Sequence, residues 1–199
     1  MNILLTGSEG FIGSNLIRYL DNPICLDLKY GDDLQTCELP ENIDLVIHLA
    51  GLSGVRQSLD NPSEYWKQNV IVSQRIFETY KDSKILYASS STAKEPWKNP
   101  YAFSKFSLEK FATDNSLGMR FTTTYGPNGR ENMLIPKIIN NDISYINVDH
   151  SRDFIHVEDL CQAIMLLIKK DEKGIIDIGT GVSHKLTDIM NHFNINYER

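Results

Sequence analysis

The stretch Ile3-Leu4-Leu5-Thr6-Gly7-Ser8-Glu9-Gly10-Phe11-Ile12-Gly13 decides the fold. Ile3 to Leu5 reads as a buried strand, and Phe11 to Leu20 carries a helical pattern that stops at Asp21-Asn22-Pro23. Between them, glycines fall at 7, 10 and 13. A strand that turns through glycines into a helix aims backbone N–H groups and a positive helix end at one point, where a pyrophosphate can sit. In this reading Gly7 permits the turn, Gly10 lets the phosphate approach, and Gly13 lets the helix pack on the sheet. The spacing has one residue more between its first two glycines than the usual fingerprint, and plain turn glycines would give the same letters. Gly7, Gly10, Phe11, Ile12 and Gly13 are thus the candidates for holding a dinucleotide. Asp27 lies 20 residues after Gly7, at the end of a second strand, Ile24 to Leu26. A carboxylate there accepts both adenosine ribose hydroxyls and repels a 2′-phosphate, which favours NAD over NADP. Lys29 works against that preference, and an ordinary loop carboxylate is the plainer alternative for Asp27.

The alternation continues along the chain. Leu45 to Leu49, Ile85 to Ala88, Gly118 to Thr124 and Ile175 to Ile178 read as strands. Pro62 to Tyr80, Tyr101 to Ala112, and Phe154 to Lys170 after a short lead-in, read as helices. Strands alternating with helices imply a parallel sheet covered on both faces. Lys29 to Glu41 is too short for a strand-plus-helix unit, so the sheet is expected to be abbreviated there. No repeat, low-complexity segment or linker divides the 199 residues, which are read as one domain over 1–199.

The formal charge of −6 gives no reason to expect nucleic acid or an anionic membrane as a partner. No apolar run is long enough to span a bilayer, and the N-terminus lacks the pattern of a signal peptide. Cys25, Cys37 and Cys161 are odd in number and lack metal-ligand spacing, which points to reduced thiols in a cytoplasmic protein without a metal site.

Asn99-Pro100-Tyr101-Ala102-Phe103-Ser104-Lys105 opens a helix and puts Tyr101 and Lys105 on one face. A neighbouring ammonium lowers a phenol's pKa, so Tyr101 can take a proton from a substrate hydroxyl while hydride leaves for a nicotinamide. Such pairs are also common as solvated surface residues. Upstream, Ala88-Ser89-Ser90-Ser91-Thr92 ends a strand, where open α/β sheets place their ligands. A serine there can donate to the oxygen being oxidised, although a hydroxyl-rich loop is an equally simple description of Ser89, Ser91 and Thr92.

With these residues in view, the chain resembles the extended short-chain dehydrogenase/reductase family, in its NAD-dependent epimerase/dehydratase branch that acts on nucleotide sugars. The resemblance runs in order through Thr6 to Gly13, His48 to Gly51, Ala88 to Ser90, Pro100 to Lys105, Tyr125 to Pro127, Arg152 to Val157 and Asp177 to Gly181. Gly54 to Ser58, followed by Asn61-Pro62, is similar to the sugar 4-epimerases, including those acting on uronates. The resemblance implies Ser90 as the catalytic hydroxyl, Tyr101 as base and Lys105 as its partner and a cofactor ribose contact. It implies that Asp33, before Leu34, meets adenine, and that Leu49, Ala50 and Gly51 line the dinucleotide. Ser90, Ser91 and Thr123 become substrate contacts, Thr123 standing where many members have Asn. Arg152 becomes the ligand of the substrate's diphosphate, by bidentate pairing, with a salt bridge to Asp153 or a nearby acid as the alternative. His48 and His156 are expected to be structural hydrogen-bonders.

There are departures. The 4,6-dehydratases of this branch place Asp-Glu after the catalytic Thr, where this chain has Ser91 and Thr92. The loops from Ser90 to Tyr101 and from Asn128 to Ser151 are short, and little follows Gly179-Thr180-Gly181. The expected fold is therefore α/β, a Rossmann-like doubly wound parallel sheet with a small, reduced C-terminal substrate lobe, about 125–151 and 179–199. The expected function is an NAD-dependent nucleotide-sugar epimerase that transiently oxidises a hydroxyl at C4. A nucleotide-sugar dehydrogenase or reductase, or a dinucleotide-binding module without turnover, are the alternatives. The resemblance also implies a homodimer through a four-helix bundle. Trp66, Val70, Ile76, Phe77 and Tyr80 offer it apolar surface, unless all five belong to the core.

Overall fold

The computed structural model describes residues 1–143, 147 and 149–195. Strand β1 (Ile3–Thr6) leads through the glycine turn into helix α1 (Phe11–Leu16). This helix tightens into a 3-10 turn over Ile17–Tyr19, so the helical run to Leu20 is expressed as two helix types. Strands β2 (Ile24–Leu26) and β3 (Leu45–His48) follow, then α2 (Val55–Asp60). The long helix expected from Pro62 is α3 (Pro62–Trp66) and α4 (Val72–Thr79), joined without a break by a π turn over Lys67–Ile71. Strand β4 (Lys84–Ser90) precedes α5 (Pro100–Phe111). The start of α5 is set by Pro100 in its first turn and by Asn99, whose side chain accepts from the Ala102 N–H at 2.9 Å.

The expected strand Gly118 to Thr124 divides. Its first part is β5 (Ser116–Phe121), and its second is β6 (Thr123–Tyr125), which leaves for a different sheet. No Gly or Pro marks the break, and Thr122 between them bonds through its N–H to the Ile178 carbonyl at 3.1 Å. Helix α6 (Leu134–Ile139) comes next. The lead-in before the next helix is strand β7 (Ser151–His156), followed by α7 (Val157–Ile168). Strands β8 (Gly174–Ile178) and β9 (Ser183–Lys185) and helix α8 (Leu186–His192) complete the described chain.

The main sheet has the order β2-β1-β3-β4-β5-β8, and every neighbouring pair is parallel. Its inner strands β1, β3, β4 and β5 are buried on both faces with period 2, whereas at the edges β2 is partly buried and β8 largely exposed. Ile3, Leu5, Ile47, Leu86 and Met119 pack on one side with Leu160 and Ile164 of α7. Leu4, Val46, Ile85 and Tyr87 pack on the other with Val72, Ile76 and Phe77 of α4 and Leu108 of α5. The sheet is abbreviated where the sequence is short: β2 is its edge, and among the described residues no further strand lies beyond it. The connection from Lys29 to Glu41 is instead pinned to the sheet's face. Arg75 donates to the Leu34 and Cys37 carbonyls at 2.5 and 2.7 Å, and the Tyr80 hydroxyl donates to the Pro40 carbonyl at 2.9 Å.

This arrangement corrects the apolar helix surface. Val70, Ile76, Phe77 and Tyr80 are all buried, the last three in the core cluster of that face, so only Trp66 of the five faces outward. It stacks on Phe103 of α5, with ring centroids 5.8 Å apart.

A small lobe stands apart. Strands β6, β7 and β9 form a second sheet, and Ile138, Leu186 and Met190 make its separate core with Leu134, Phe154 and Ile189. Of the segments expected for a substrate lobe, residues 144–146, 148 and 196–199 lie outside the described residues. No described helix is long and apolar enough to cross a membrane.

Candidate active site

The chain runs from β1 out to β2 and then back past β1 to β3. The crevice at the C-terminal ends of the strands around that reversal is where such sheets take ligands. Two neighbouring hollows, about 390 and 230 Å³, open there and share Gly7, Gly10, Leu49, Gly51 and Leu52. Asp27, Asp33, Leu34 and Ala50 line the larger. Phe11, Ile12, Gly13, Tyr101 and Lys105 line the smaller. The fold thus brings every residue proposed for the dinucleotide to one continuous crevice.

The glycine turn explains its own composition. Gly7 has φ +72°, and a Cβ there would lie 2.6 Å from the Ala50 nitrogen. A Cβ on Gly13 would lie 2.1 Å from the Gly7 carbonyl oxygen. Gly13 therefore closes the turn itself, a more local role than helix-to-sheet packing. Gly10 is exposed, and a Cβ there would meet only the Gly7 oxygen, at 3.2 Å. A bare backbone open to the crevice is the surface a pyrophosphate needs.

At the larger hollow, the Asp27 carboxylate accepts from the Glu9 and Lys29 N–H groups at 3.0 and 2.9 Å, which leaves each oxygen a further lone pair. The Lys29 ammonium is paired with Glu9 at 2.7 Å. Hydrogen bonds from Lys29 and Tyr30 hold the Glu9 carboxyl below the usual range. The residue that weakened the case for NAD is thus already engaged by an acid. Asp33 accepts from the Gln35 N–H at 2.9 Å. A dinucleotide fits this donor and acceptor set, which runs from the glycine turn to Asp27 along the crevice.

At the smaller hollow, Lys105 is buried, and its Nζ donates to the Ala88 carbonyl at 2.8 Å. Burial pushes this ammonium down to about 8, with Glu109 opposing. Burial raises the Tyr101 phenol above its ordinary range, while the Ser90 hydroxyl and the Arg130 guanidinium pull it down. This modifies the expectation from spacing. Lys105 turns to a strand carbonyl, and the groups that favour the Tyr101 phenolate here are Ser90 and Arg130. Ser90 is itself oriented: its Oγ accepts from the Thr92 N–H and hydroxyl at 3.2 and 2.9 Å, which frees its own proton for donation.

The remaining candidates sit elsewhere. Ser91 begins a 3-10 turn over Ser91–Lys94, and Thr123 is half-buried on β6. Arg152 is exposed on β7, donates to the Ser151 carbonyl at 2.9 Å and contacts His150 at 3.2 Å. Neither it nor Thr123 lines the two hollows. Asp153 is taken up by Thr180 and Gly181, so the alternative of an Arg152–Asp153 bridge is not formed. His48 links Thr6 and Ser73 at 2.7 and 2.9 Å, and burial pushes it down to about 3. His156 caps α7 through the Glu158 N–H.

Three site residues escaped the reading by motif. Arg130 lines the smaller hollow and reaches the Ser53 carbonyl at 3.3 Å. Nothing in its neighbourhood marks it, because an irregular loop carries it there. Asn69 sits in the π turn, fully buried, and clamps Leu52: its Oδ1 accepts from the Leu52 N–H at 2.7 Å, and its Nδ2 donates to the Leu52 carbonyl and to Ser104 Oγ, each at 2.9 Å. An Asn on an apolar helix face was the available signal, and a π turn is a frequent companion of functional sites. Glu109, one turn beyond Lys105 on α5, was visible in the spacing.

Fold and site together define an extended short-chain dehydrogenase/reductase. Residues 3–179 match the NAD dependent epimerase/dehydratase family, and the chain belongs to it. An uncharacterized protein of Methanocaldococcus jannaschii is 31% identical, over 93% of this chain and 77% of its own. A UDP-glucose 4-epimerase of Yersinia enterocolitica is 27% identical, over 97% of this chain and 82% of its own. The solved structure of MoeE5 in complex with UDP-glucuronic acid and NAD matches with a TM-score of 0.88 and 27% identity, over 100% of this chain and 85% of that one. The alignment with the Methanocaldococcus protein runs over 252 positions, more than the 199 residues of this chain, so the relative carries internal stretches that this chain lacks.

Proposed function

We propose that the protein is an NAD-dependent nucleotide-sugar epimerase that inverts a sugar carbon, C4, through a transient ketone. What supports this reading is that Tyr101 and Lys105 line one end of a crevice whose other end presents Asp27, with the Ser90 hydroxyl beside Tyr101 though not in the lining of the hollow. Tyr101 removes the proton from the sugar hydroxyl, and Ser90 donates to the same oxygen. Lys105, anchored on the Ala88 carbonyl, is the contact for the cofactor ribose, and Ser90 and Arg130 are the groups that favour the phenolate. A dinucleotide held along the crevice by the glycine turn and Asp27 would supply the hydride acceptor and donor for that carbon. Arg130 beside Tyr101 and Arg152 on β7 are the cations offered to the anionic part of the substrate, with Ser91 and Thr123 as further contacts.

Support for epimerase over dehydratase comes from Ser91 and Thr92, where an acid and base for eliminating water would stand. Support for a nucleotide sugar comes from relatives named for UDP-sugars. The exposed Trp66–Phe103 stack on α3 and α5 is the surface for a homodimer, the remaining support for a four-helix interface. The whole chain is read as one domain, working in the cytoplasm.

The test is incubation with NAD and a panel of UDP-, GDP- and dTDP-sugars, followed by NMR of the products. Appearance of a 4-epimer without net NADH supports the reading. Stoichiometric NADH points to a dehydrogenase, a 4-keto-6-deoxy product to a dehydratase, and tight NAD binding without turnover to a binding module.

A further inference from the structure

Behind the Tyr101–Lys105 pair, the same stripe of α5 carries Glu109 one turn further on. Its side chain is 1% exposed, yet every oxygen is used. Ser89 Oγ donates to Oε1 at 2.5 Å, Arg120 Nε donates to Oε1 at 2.8 Å, and Arg120 Nη2 donates to Oε2 at 2.6 Å. Ser89 of β4 and Arg120 of β5 are register partners, so three elements meet on one carboxylate. Ser89 itself lies between Ala88, whose carbonyl holds Lys105, and Ser90. We infer that Glu109 is a positioning residue: it ties the strand end bearing Ser90 to the helix bearing Tyr101 and Lys105, and sets the negative charge behind Lys105. Its consequence for turnover rests on the chemistry proposed above, whereas its coupling to Lys105 does not.

Packing alone does not call for this arrangement. A buried ion pair is weak evidence for stability, because an apolar pair of similar volume often does as well or better. What the apolar pair lacks is a charge that acts on Lys105. The groups around that ammonium are the Ala88 carbonyl from β4, the Gly51 backbone and His48 from β3, with Asn69 from the π turn beside Gly51 and Tyr101 of its own helix lining the same hollow. His48 is neutral, and Tyr101 is a phenol at neutral pH. Among the described residues, Glu109 is the anion that works against the burial of Lys105. Arg120 in turn holds the Glu109 carboxylate in place by its two-pronged contact.

The experiment is a lysine titration by NMR on protein labelled at Lys Cε and Glu Cδ, with Lys105→Met used only to assign the Lys105 signal. In the wild type, Lys105 is expected to titrate well below the other lysines, and a buried Glu Cδ signal to step at the same midpoint. Glu109→Gln should remove that signal and move the Lys105 midpoint down. An unchanged midpoint in a folded Glu109→Gln protein overturns the inference, as does a wild-type Glu109 signal without a step, which needs no variant to fold. With a confirmed substrate, Glu109→Gln should also lower kcat more than it raises KM, with the alkaline limb of the pH profile displaced to lower pH. If the midpoint shifts but no nucleotide sugar is turned over, the proposed function fails while the coupling stands.

Discussion

Thr92 donates twice to the hydroxyl of Ser90, from its N–H at 3.2 Å and from its Oγ1 at 2.9 Å. With both lone pairs occupied, the Ser90 proton has one direction left, toward Tyr101. Thr92→Val removes one of the two bonds and keeps the shape. On a confirmed substrate, kcat should fall by about fivefold to tenfold, the worth of one oriented hydrogen bond, with NAD affinity unchanged. Ser90→Ala should cost more than Thr92→Val, and the reverse order would mean that Thr92 acts on something else.

Tyr101→Phe keeps the ring, including its edge contact with Tyr65 at 6.1 Å, and deletes the ionisable oxygen. Turnover should drop by roughly 10²–10⁴, with melting temperature and NAD affinity held. Lys105→Met should also lose activity, through the lost contact to the cofactor ribose, and NAD affinity should fall with it. Full activity in Tyr101→Phe would remove the base from the scheme.

NAD should bind more tightly than NADP. The free lone pairs of Asp27 suit two ribose hydroxyls, and Lys29 is spent on Glu9. Calorimetric titration with both cofactors measures the ratio. Asp27→Ala should narrow it, and Glu9→Gln, by releasing Lys29, should narrow it as well. Equal affinities in the wild type would refute the assignment.

Two glycines should separate fold from binding. Gly13→Ala puts a Cβ 2.1 Å from a backbone oxygen, so the turn must move and stability should suffer. Gly10→Ala meets that oxygen at 3.2 Å and leaves the fold largely intact, while Gly10→Val should abolish dinucleotide binding. Thermal melts with and without NAD distinguish the two classes. A Gly10→Val protein that still binds NAD would move the pyrophosphate elsewhere.

His48 gives a pH prediction. Burial lowers its pKa from 6.5 to about 3, so below pH 6.5 the unfolded chain takes up a proton that the folded one refuses. The stabilising contribution is full above pH 6.5 and is lost as pH falls toward 3, at about 1.4 kcal/mol per pH unit in the middle of that window. Urea unfolding at pH 7 and pH 5 measures this slope. His48→Asn should show a shallower one, and an equal slope in the variant would place the acid sensitivity on other groups.

Much of this architecture is legible in the chain, for physical reasons that differ from element to element. The Gly7–Gly13 turn and the Tyr101/Lys105 spacing are local devices, complete within a few residues, and they sit where the spacing places them. The β5–β6 division was not legible, because Thr122 changes sheet through a bond to Ile178, a partner far along the chain. The same applies to Arg130, delivered by an irregular loop, and to the core burial of Val70, Ile76, Phe77 and Tyr80. An apolar stripe states that a helix face is covered, and only the tertiary arrangement states by what. Asn69 and Glu109 are intermediate: each is a polar residue on a buried helix face, an anomaly that pattern alone can flag but not explain.

The parallel order of the main sheet also sets a timetable. No neighbouring pair of its strands can close as a hairpin: Ile3 pairs with Leu45, and Leu117 with Gly174. Each pairing must bear the entropy of a long loop before any contact rewards it, which places folding among the slower small domains. During synthesis β5 leaves the ribosome on the order of 3–10 seconds before β8 can cover it. For that interval the edge of β5 is an open template. Chaperone dependence and aggregation in the nascent chain should therefore concentrate at residues 116–121.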